Sequence, residues 1–293
     1  MPELPEVETV RAGLAEKVLG ATIAKVSINE NRSIRQHEKG AKDFCNQLKG
    51  NKIVSASRRG KFLWLNLADQ NRDDALVIHL GMSGQVLLHE SDSLEKHARV
   101  VFDLVGKRNK SITMRFVDQR MFGGMFLDSK VTTAEGDEIP GRVTHIARDL
   151  FDPYVNDKEI IEAIKSRKAG IKSLLLNQGI VSGVGNIYAD EALWAAKLHY
   201  LKSGNQLKTA QIEETLGHLR RIMAKAIEAG GTSFDEQYVR VNGESGWFEV
   251  ELNAYGQEGE PCPRCGRQIV REPWSNRSSH RCPRCQPAPK RGG

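Results

Sequence analysis

Two pairs of cysteines constrain the fold of this chain more than any other feature of its sequence. Cys262 and Cys265 form one Cys-x-x-Cys pair, Cys282 and Cys285 form another, and sixteen residues lie between them. Each pair directs two thiolates at one ion, and four thiolates complete a closed tetrahedral zinc site. The spacing therefore predicts one structural Zn2+ ion in a small zinc finger. Two redox-active dithiols are the alternative, disfavoured because neither pair begins a thioredoxin-like helix.

Basic side chains are concentrated between the two cysteine pairs. They are Arg267, Arg271, Arg277, His280 and Arg281. A module too small for its own core that carries so many phosphate-matching groups is typical of DNA or RNA contact, with a solvated basic loop as the alternative. The whole chain has 43 Lys and Arg against 37 Asp and Glu, a formal net charge of +6. Zinc-bound thiolates would lower this to about +4, which weakly favours a polyanionic partner.

The first part of the chain is predicted to be an antiparallel β-sandwich with a helix at its start. Val7, Val10, Leu14 and Val18 have helical spacing, with Pro5 suited to the first turn. Short alternating or apolar runs follow, as in a sandwich or barrel. The predicted strands cover residues 22–28, 52–57, 62–67, 75–80, 85–88, 99–104, 111–117 and 122–127.

Helical periodicity dominates the second part, which follows a polar segment rich in Gly and Pro. The predicted helices cover residues 157–167, 171–177, 186–198 and 209–229. We therefore expect a multidomain α+β protein. Its predicted segments are a β domain at 1–134, a linker at 135–154, a helical domain at 155–231, a connection at 232–255, a zinc finger at 256–287 and a disordered tail at 288–293.

A glycine-rich turn at residues 179–188 contains a Gly-x-Gly, but its context does not fit a dinucleotide site. The turn lies between two helical segments instead of after a strand in a βαβ unit. Free amides at the start of the following helix, together with the side chain of Asn186, can hold one backbone phosphate. A plain packing junction between two helices is the alternative.

The amino terminus is a candidate reactive group. Pro2 is small, so we expect Met1 to be removed and a secondary amine to be exposed. At neutral pH roughly a tenth of a terminal amine is neutral, against well under a thousandth of a lysine, so this amine is a plausible Schiff-base nucleophile. Glu3 and Glu6 flank it as possible acids. The alternative is that these residues only begin a helix. No positively charged leader and no long apolar stretch occurs, so we expect a cytosolic protein.

The motifs taken together resemble the formamidopyrimidine-DNA glycosylase family, also called 8-oxoguanine DNA glycosylase. The resemblance is distributed over the whole chain. Its motifs are residues 1–10 (MPELPEVETV), 59–62 (RGKF), 79–84 (HLGMSG), 118–123 (DQRMFG), 183–189 (GVGNIYA) and the cysteine module. Gln119 stands where many members have proline and Gly60 where alanine is frequent, and neither departure removes a chemical group.

The resemblance implies an N-terminal β-sandwich with the terminal helix, a helix-two-turn-helix domain around Asn186 and a C-terminal zinc finger. It implies that the amine of Pro2 attacks C1′ of a damaged nucleotide, with Glu3 as the acid/base. β- and δ-elimination would follow, for which Lys61 and Arg277 match the family's residues. The implied activity is that of a bifunctional DNA glycosylase and apurinic-site lyase for oxidised purines, acting as a monomer on damaged duplex DNA.

The resemblance also implies how the DNA is held while a damaged nucleotide is turned out of the helix. Three residues match the family's fillers of the vacated space, with Arg120 suited to the orphaned cytosine. The filler residues are Met82, Arg120 and Phe122, and the backbone-contact positions are His97, Lys168, Lys172 and Asn186. Tyr238 and its neighbours resemble the loop that covers the flipped base.

Two rival functions are weighed against this interpretation. Endonuclease VIII shares the proline nucleophile and zinc finger but prefers oxidised pyrimidines, and Leu4 disfavours it because that group typically has glycine there. A zinc-ribbon DNA-binding protein without catalysis would leave the chemistry of Pro2 and Glu3 incidental.

Overall fold

The computed structural model describes residues 2–68, 74–89, 96–231, 241 and 252–289. These residues form two compact units. The first contains the chain up to His145 with residues 229–231 and 241, and the second contains Ile146–Glu228 with residues 252–289. The predicted covering loop around Tyr238 and the last four residues of the predicted tail lie outside the described residues.

The first unit is built on one continuous nine-stranded sheet in which every strand pair is antiparallel. The strands follow the order β5-β7-β6-β1-β2-β3-β4-β8-β9 across the sheet. This confirms the predicted antiparallel β domain, and the predicted strands are present with ends shifted by a few residues. The strands are β1 (Thr22–Ile28), β2 (Lys52–Arg59), β3 (Phe62–Ala68), β4 (Asp74–His79), β5 (Gly84–His89), β6 (Ala98–Val105), β7 (Ser111–Asp118), β8 (Gly124–Thr132) and β9 (Glu138–Pro140).

Two helices pack on this sheet and close its core. Helix α1 (Leu4–Val18) begins immediately after Pro2 and Glu3, and it buries Val7, Leu14 and Val18 against β2 and β3. Helix α2 (Gly40–Leu48) buries Phe44 and Leu48 in the same core, and no helix was predicted here from the sequence. Helix α1 therefore fixes the start of the chain on the sheet.

The second unit is helical and ends in a two-stranded hairpin. Its helices start where the sequence predicted and end one to three residues earlier, which confirms the helical domain. They are α3 (Asp157–Lys165), α4 (Ile171–Leu175), α5 (Asn186–Ala195) and α6 (Thr209–Glu228), followed by β10 (Val270–Trp274) and β11 (Arg277–Arg281). In the portions of the chain that the structure describes, no helix is both long and apolar enough to span a membrane.

Candidate functional site

The start of α1 holds Pro2 and two buried carboxylates. Glu3 precedes the helix with extended backbone, and its N–H donates to a carboxylate oxygen of Glu6 at 2.8 Å. The exposed fractions of Glu3 and Glu6 are only 2% and 6%. A hydrogen bond from the Ncap N–H to the third helical residue is half of a capping box and fixes the direction in which the chain enters the helix. The helix start therefore fixes the backbone on which Pro2 sits.

A set of ion pairs attaches α1 to strand β2. Glu8 contacts Arg58 of β2 at 2.9 Å and Arg11 at 2.7 Å, and Arg11 also donates to the carbonyl of Ala56 at 3.2 Å. Burial alone would raise the pKa of Glu8, but the hydrogen bonds and charges of Arg11 and Arg58 hold it below its ordinary value. The helix that carries the amino terminus is thus held on β2 by a carboxylate that stays ionised at neutral pH.

Lys61 lies in the two-residue turn between β2 and β3, where Arg59 pairs with Phe62. Gly60 provides the positive φ of +55° that this tight turn requires. His79, at the end of β4, packs against Phe62 with ring centroids 4.6 Å apart and the ring planes tilted by 44°. Burial, with the charges of Lys61 and Arg35, lowers the pKa of His79 to about 4. At neutral pH Lys61 therefore has an uncharged imidazole as a neighbour.

Two irregular segments of the first unit meet at a glycine and present the predicted filler residues. At Gly81 φ is +64°, and an added Cβ would lie 2.3 Å from the backbone nitrogen of Gly123. The turn at residues 81–83 thus packs directly on the loop at residues 119–123. Met82 is 37% exposed, Phe122 is 51% exposed, and Arg120 is exposed as well.

His97 lies near the same end of the sheet. Its side chain is half-buried, and its Nδ1 is 3.3 Å from a guanidinium nitrogen of Arg99. Arg99 in turn donates to the carbonyl of Asp118 at 2.9 Å. The structure therefore connects His97 through Arg99 to the strand end that leads into the loop at residues 119–123.

In the second unit the glycine-rich turn before α5 is held by the side chain of Gln178. Its amide nitrogen donates to the carbonyl of Val184 at 3.1 Å, and its oxygen accepts from the N–H of Gly183 at 2.9 Å. Gly183 has φ of +86°. Asn186, the first residue of α5, is half-buried. The turn is therefore a fixed entry to a helix, as a backbone-phosphate site requires.

The zinc-finger hairpin places Arg277 next to the start of α5. Ser275 and Asn276 form the turn between β10 and β11 with φ of +43° and +59°, and exposed Arg277 follows it. The carbonyl of Ser278 accepts from Nδ2 of Asn186 at 3.1 Å. Asn186 and Arg277 are therefore neighbours in the second unit.

Lys168 and Lys172 have very different surroundings, although both were predicted to contact the DNA backbone. Lys168 is exposed. Lys172 is fully buried, lies 2.6 Å from Asp190 of α5 and donates to the carbonyl of Ser278 at 3.1 Å. This ammonium group is enclosed and paired within the protein, where it binds the hairpin, and the phosphate contact of Lys172 stays a prediction.

The four cysteines meet the geometric requirement for zinc. Their sulfur atoms all lie within 4.8 Å of one another, and Cys265 Sγ is 3.4 Å from Cys282 Sγ and 3.6 Å from Cys285 Sγ. Ligands about 2.3 Å from a tetrahedral ion are roughly 3.8 Å apart, so the sulfur cluster fits Zn2+. Four thiolates leave no coordination position for water, so the site holds one zinc ion with a structural role. Trp194 of α5 packs against the cysteine cluster.

Four side chains that support these positions were not singled out from the sequence. They are Arg35, Asp118, Gln178 and Asp190, and each hydrogen-bonds to residues that are distant in the sequence or to the backbone of a turn. Asp118 lies within one of the quoted motifs, and Asp190 follows another, so the motifs contained a signal. Nothing in the sequence connected Arg35 or Gln178 with a partner.

The fold and its sites are those of a DNA-binding enzyme that carries a zinc finger. Three family models match the chain. They are the formamidopyrimidine-DNA glycosylase N-terminal domain over residues 1–125, the formamidopyrimidine-DNA glycosylase H2TH domain over residues 146–237, and the zinc finger found in FPG and IleRS over residues 259–288. The chain belongs to the formamidopyrimidine-DNA glycosylase family and is a DNA glycosylase, as the motifs predicted.

Individual relatives agree with this assignment over their full lengths. A formamidopyrimidine-DNA glycosylase of Nocardioides is 50% identical over 292 residues, which is 99% of this chain and 96% of the relative. A formamidopyrimidine-DNA glycosylase of Rhodococcus jostii is 48% identical, over 99% of this chain and 98% of the relative. The solved structure of a Lactococcus lactis FPG variant with Fapy-dG containing DNA has a TM-score of 0.84 at 32% identity, covering 98% and 100%. The solved structure of MutM in complex with carbocyclic 8-oxo-G containing DNA has a TM-score of 0.83 at 32% sequence identity. It also covers 98% of this chain and 100% of the other chain.

Proposed function

We propose that this chain excises oxidised purines from duplex DNA with the amine of Pro2 as nucleophile and then cuts the strand as a lyase. The observation that carries the proposal is the placement of Pro2 and Glu3 at the start of α1, where the Glu3 carboxylate is only 2% exposed. A buried carboxylate next to a secondary amine can act as an acid or base without competition from bulk water. The DNA substrates named for the solved relatives support the same substrate class.

In the proposed reaction, the nitrogen of Pro2 attacks C1′ of the damaged nucleotide as the glycosidic bond breaks and the departing base takes up a proton. The nitrogen of Pro2 gives up its own proton, Glu3 donates a proton at the sugar ring, the ring opens, and an iminium ion to C1′ remains because the amine is secondary. The positive charge of the iminium ion makes the C2′ proton acidic. Its removal expels the 3′ phosphate in β-elimination, and a second elimination expels the 5′ phosphate. Lys61 and Arg277 are proposed for the elimination steps and the contacts with the lesion's phosphates.

The remaining proposed DNA contacts divide into residues that fill the vacated space and residues that bind the DNA backbone. Met82 and Phe122 are proposed to wedge into the stack from which the nucleotide has rotated, and Arg120 to hydrogen-bond the orphaned cytosine. Because these contacts replace stacking that costs a few kcal/mol to disrupt, they stabilise the flipped state. His97, Lys168 and Asn186 are proposed to bind backbone phosphates and to make affinity depend on salt.

Trapping with borohydride tests the proposed nucleophile. The protein is incubated with a duplex that contains 8-oxoguanine opposite cytosine, and the imine is reduced to a stable amine. We expect a covalent adduct whose site, mapped by peptide mass spectrometry, is Pro2. Pro2→Gly should lose the adduct. Pro5→Ala is the matched control, because Pro5 is also buried at the helix start but has no terminal amine.

The outcome also separates the rival functions. An adduct with thymine glycol but none with 8-oxoguanine would indicate the pyrimidine-directed enzyme. Absence of an adduct with both lesions, from protein shown by intact mass to have lost Met1, would refute the lyase. We further propose that the chain works as a monomer on chromosomal DNA in the bacterial cytoplasm, since its named relatives are bacterial.

A further inference from the structure

The loop at residues 119–123 has a backbone conformation that its own sequence does not favour. Met121 has φ of +57°, in the left-handed region that a non-glycine side chain adopts at a cost of about 1 kcal/mol or more. The exposed Arg120 and Phe122 lie on either side of it. Surrounding contacts must therefore impose this conformation.

A buried carboxylate binds the N–H groups of the loop. Asp118 is 0% exposed. Its Oδ2 accepts from the N–H of Gly123 at 2.8 Å, and its Oδ1 accepts from the N–H of Arg120 at 3.2 Å. These two amides lie on both sides of Met121, so one side chain fixes both ends of the unfavourable turn.

The same carboxylate connects the loop to the turn that carries Met82. Asp118 Oδ1 accepts from the hydroxyl of Ser83 at 2.6 Å, and the Ser83 oxygen accepts from the N–H of Arg120 at 3.1 Å. Three hydrogen bonds thus join Asp118 Oδ1, the hydroxyl of Ser83 and the N–H of Arg120, and the N–H of Arg120 is shared between the two oxygens. A displacement of Asp118 would move the turn and the loop together.

An arginine from a third segment binds the carbonyl groups of the loop. Arg35 donates to the carbonyls of Gly123 at 2.8 Å and Phe122 at 2.9 Å. The loop therefore has an anion bound to its N–H groups and a cation bound to its carbonyl groups. Charge-assisted hydrogen bonds of this kind are about twice as strong as neutral ones.

We propose that Asp118 is a positioning residue that holds Met82, Arg120 and Phe122 as one preformed unit, and that recognition of the base opposite the lesion depends on it. The inference rests on the proposed role of these three residues as fillers of the vacated space. Because the proposed contacts of these three residues are with the vacated space and the opposite base, and not with the reacting sugar, a loosened loop loses discrimination before it loses chemistry.

The test uses full-length Asp118→Asn, which preserves size but directs an NH2 group at an amide N–H or at the Ser83 hydroxyl. The first measurement is the ratio of excision rates for 8-oxoguanine opposite cytosine and opposite adenine. We expect this ratio to fall by about tenfold from that of the wild type. Ser83→Ala, a milder change, should lower it in the same direction. Asp128→Asn is the matched control, because Asp128 also accepts from a backbone N–H, that of Arg142 at 2.7 Å, away from the loop.

The second measurement requires no catalysis. In a duplex with a tetrahydrofuran abasic analogue, the fluorescence of a neighbouring 2-aminopurine rises when Met82 and Phe122 unstack that base. Asp118→Asn should reduce this rise in fluorescence at saturating protein. The third measurement is borohydride trapping on single-stranded abasic DNA, which has no opposite strand for the filler residues to contact. Trapping by Asp118→Asn should remain within about twofold of the wild type, since Asp118 is proposed to act only through the filler residues.

An unchanged opposite-base ratio, or equal losses in all three measurements, would overturn the proposal. A double-mutant cycle adds a further condition: if Asp118 acts through Arg120, then Asp118→Asn should change the ratio little in an Arg120→Ala background. Failure of the wild type to trap abasic DNA would refute the Pro2 chemistry, and the 2-aminopurine signal would still decide the role of Asp118.

Discussion

The buried pair of Lys172 and Asp190 allows a prediction whose size follows from the structure. Their side chains are 0% and 1% exposed, with Nζ 2.6 Å from Oδ1. Asp190 also accepts from the hydroxyl of Ser279 at 3.0 Å and from the N–H of His280 at 2.9 Å, and Nζ lies 4.8 Å from the ring centroid of Trp274. All of these partners belong to the zinc-finger hairpin, so the pair connects the hairpin to α4 and α5.

Lys172→Met removes the ammonium group and leaves a buried carboxylate without its counter-charge. Breaking one side of a buried ion pair costs about 3–5 kcal/mol. This lowers the equilibrium constant for holding the hairpin by a hundredfold to several thousandfold, at about 1.4 kcal/mol per factor of ten. The double variant Lys172→Met, Asp190→Asn buries no unpaired charge. Its side-chain oxygen can accept from the N–H of His280, and its NH2 group can donate to the hydroxyl oxygen of Ser279. It should therefore be more stable than Lys172→Met alone by about 2 kcal/mol.

Native-state hydrogen exchange measures this prediction directly. The N–H of His280 reports opening of the hairpin, and urea unfolding reports the stability of the whole unit. Glu258→Gln is the control within the zinc finger, since its ion pair with Arg271 is 3.9 Å long and more than half exposed. It should cost at most about 1 kcal/mol. A cost below about 1 kcal/mol for Lys172→Met, or strictly additive effects in the double variant, would refute this account of the pair.

Three other predictions concern glycine strain, pH and zinc. Gly81→Ala should cost at least about 2 kcal/mol more in unfolding free energy than Gly136→Ala, because a Cβ at Gly81 would meet the backbone at 2.3 Å whereas Gly136, also at positive φ, has nothing within 4 Å. The pKa of His79 in the folded state is lowered to about 4, so the unfolded chain takes up a proton first as the pH falls. Up to about 3 kcal/mol of stability should therefore be lost between pH 6.5 and 4, and His79→Gln should reduce this loss in urea unfolding. Cys282→Ser should lower zinc content and DNA affinity together, measured by metal analysis and fluorescence anisotropy, because few apolar side chains pack around the cysteines; wild-type affinity in zinc-free protein would contradict this.

Local patterns in the sequence predicted the elements of the fold well. Alternation located strands such as β6, which buries one face, and apolar runs located β3 and β4, which are buried on both faces. The spacing of Val7, Val10 and Leu14 located α1. The strand predicted at residues 122–127 in fact begins at Gly124. Phe122 is apolar but points outward, so periodicity included it in the strand when it belongs to the preceding loop. An exposed apolar side chain with a binding role looks, in sequence, like a member of the core.

The missed helix α2 has a different cause. Ala41, Phe44, Cys45 and Leu48 have helical spacing and pack on the core, but lysine, asparagine and glutamine surround them. The apolar stripe covers only a narrow face, so composition obscured it. Nothing in the sequence predicted that Arg35, a short distance before α2, binds carbonyls almost ninety residues away in the chain.

Residues predicted for the site were mostly those that contact DNA or zinc in the proposed mechanism, whereas the supporting residues became apparent only in the structure. Lys172 shows the limit clearly. In sequence it resembles Lys168, a basic residue next to a helical segment, yet one side chain is exposed and the other is enclosed with Asp190. Charge and spacing cannot separate these cases, because burial depends on the hairpin that packs there about a hundred residues later.

Three buried carboxylates share one physical function in this chain. Asp118 binds the N–H groups of the loop at residues 119–123, Asp190 binds His280 in the zinc-finger hairpin, and Glu191 accepts from the backbone N–H groups of residues 253–255. Burial raises the pKa of Glu191, although these backbone donors oppose the rise. Irregular backbone buried without sheet or helix partners leaves N–H groups unsatisfied, and a carboxylate can accept several of them at once. An acidic residue at the end of a strand or within an otherwise apolar helix is therefore a sequence signal for a nearby backbone segment of fixed conformation. In this protein Asp118 fixes the loop that carries Arg120, and Asp190 fixes the strand that begins at Arg277.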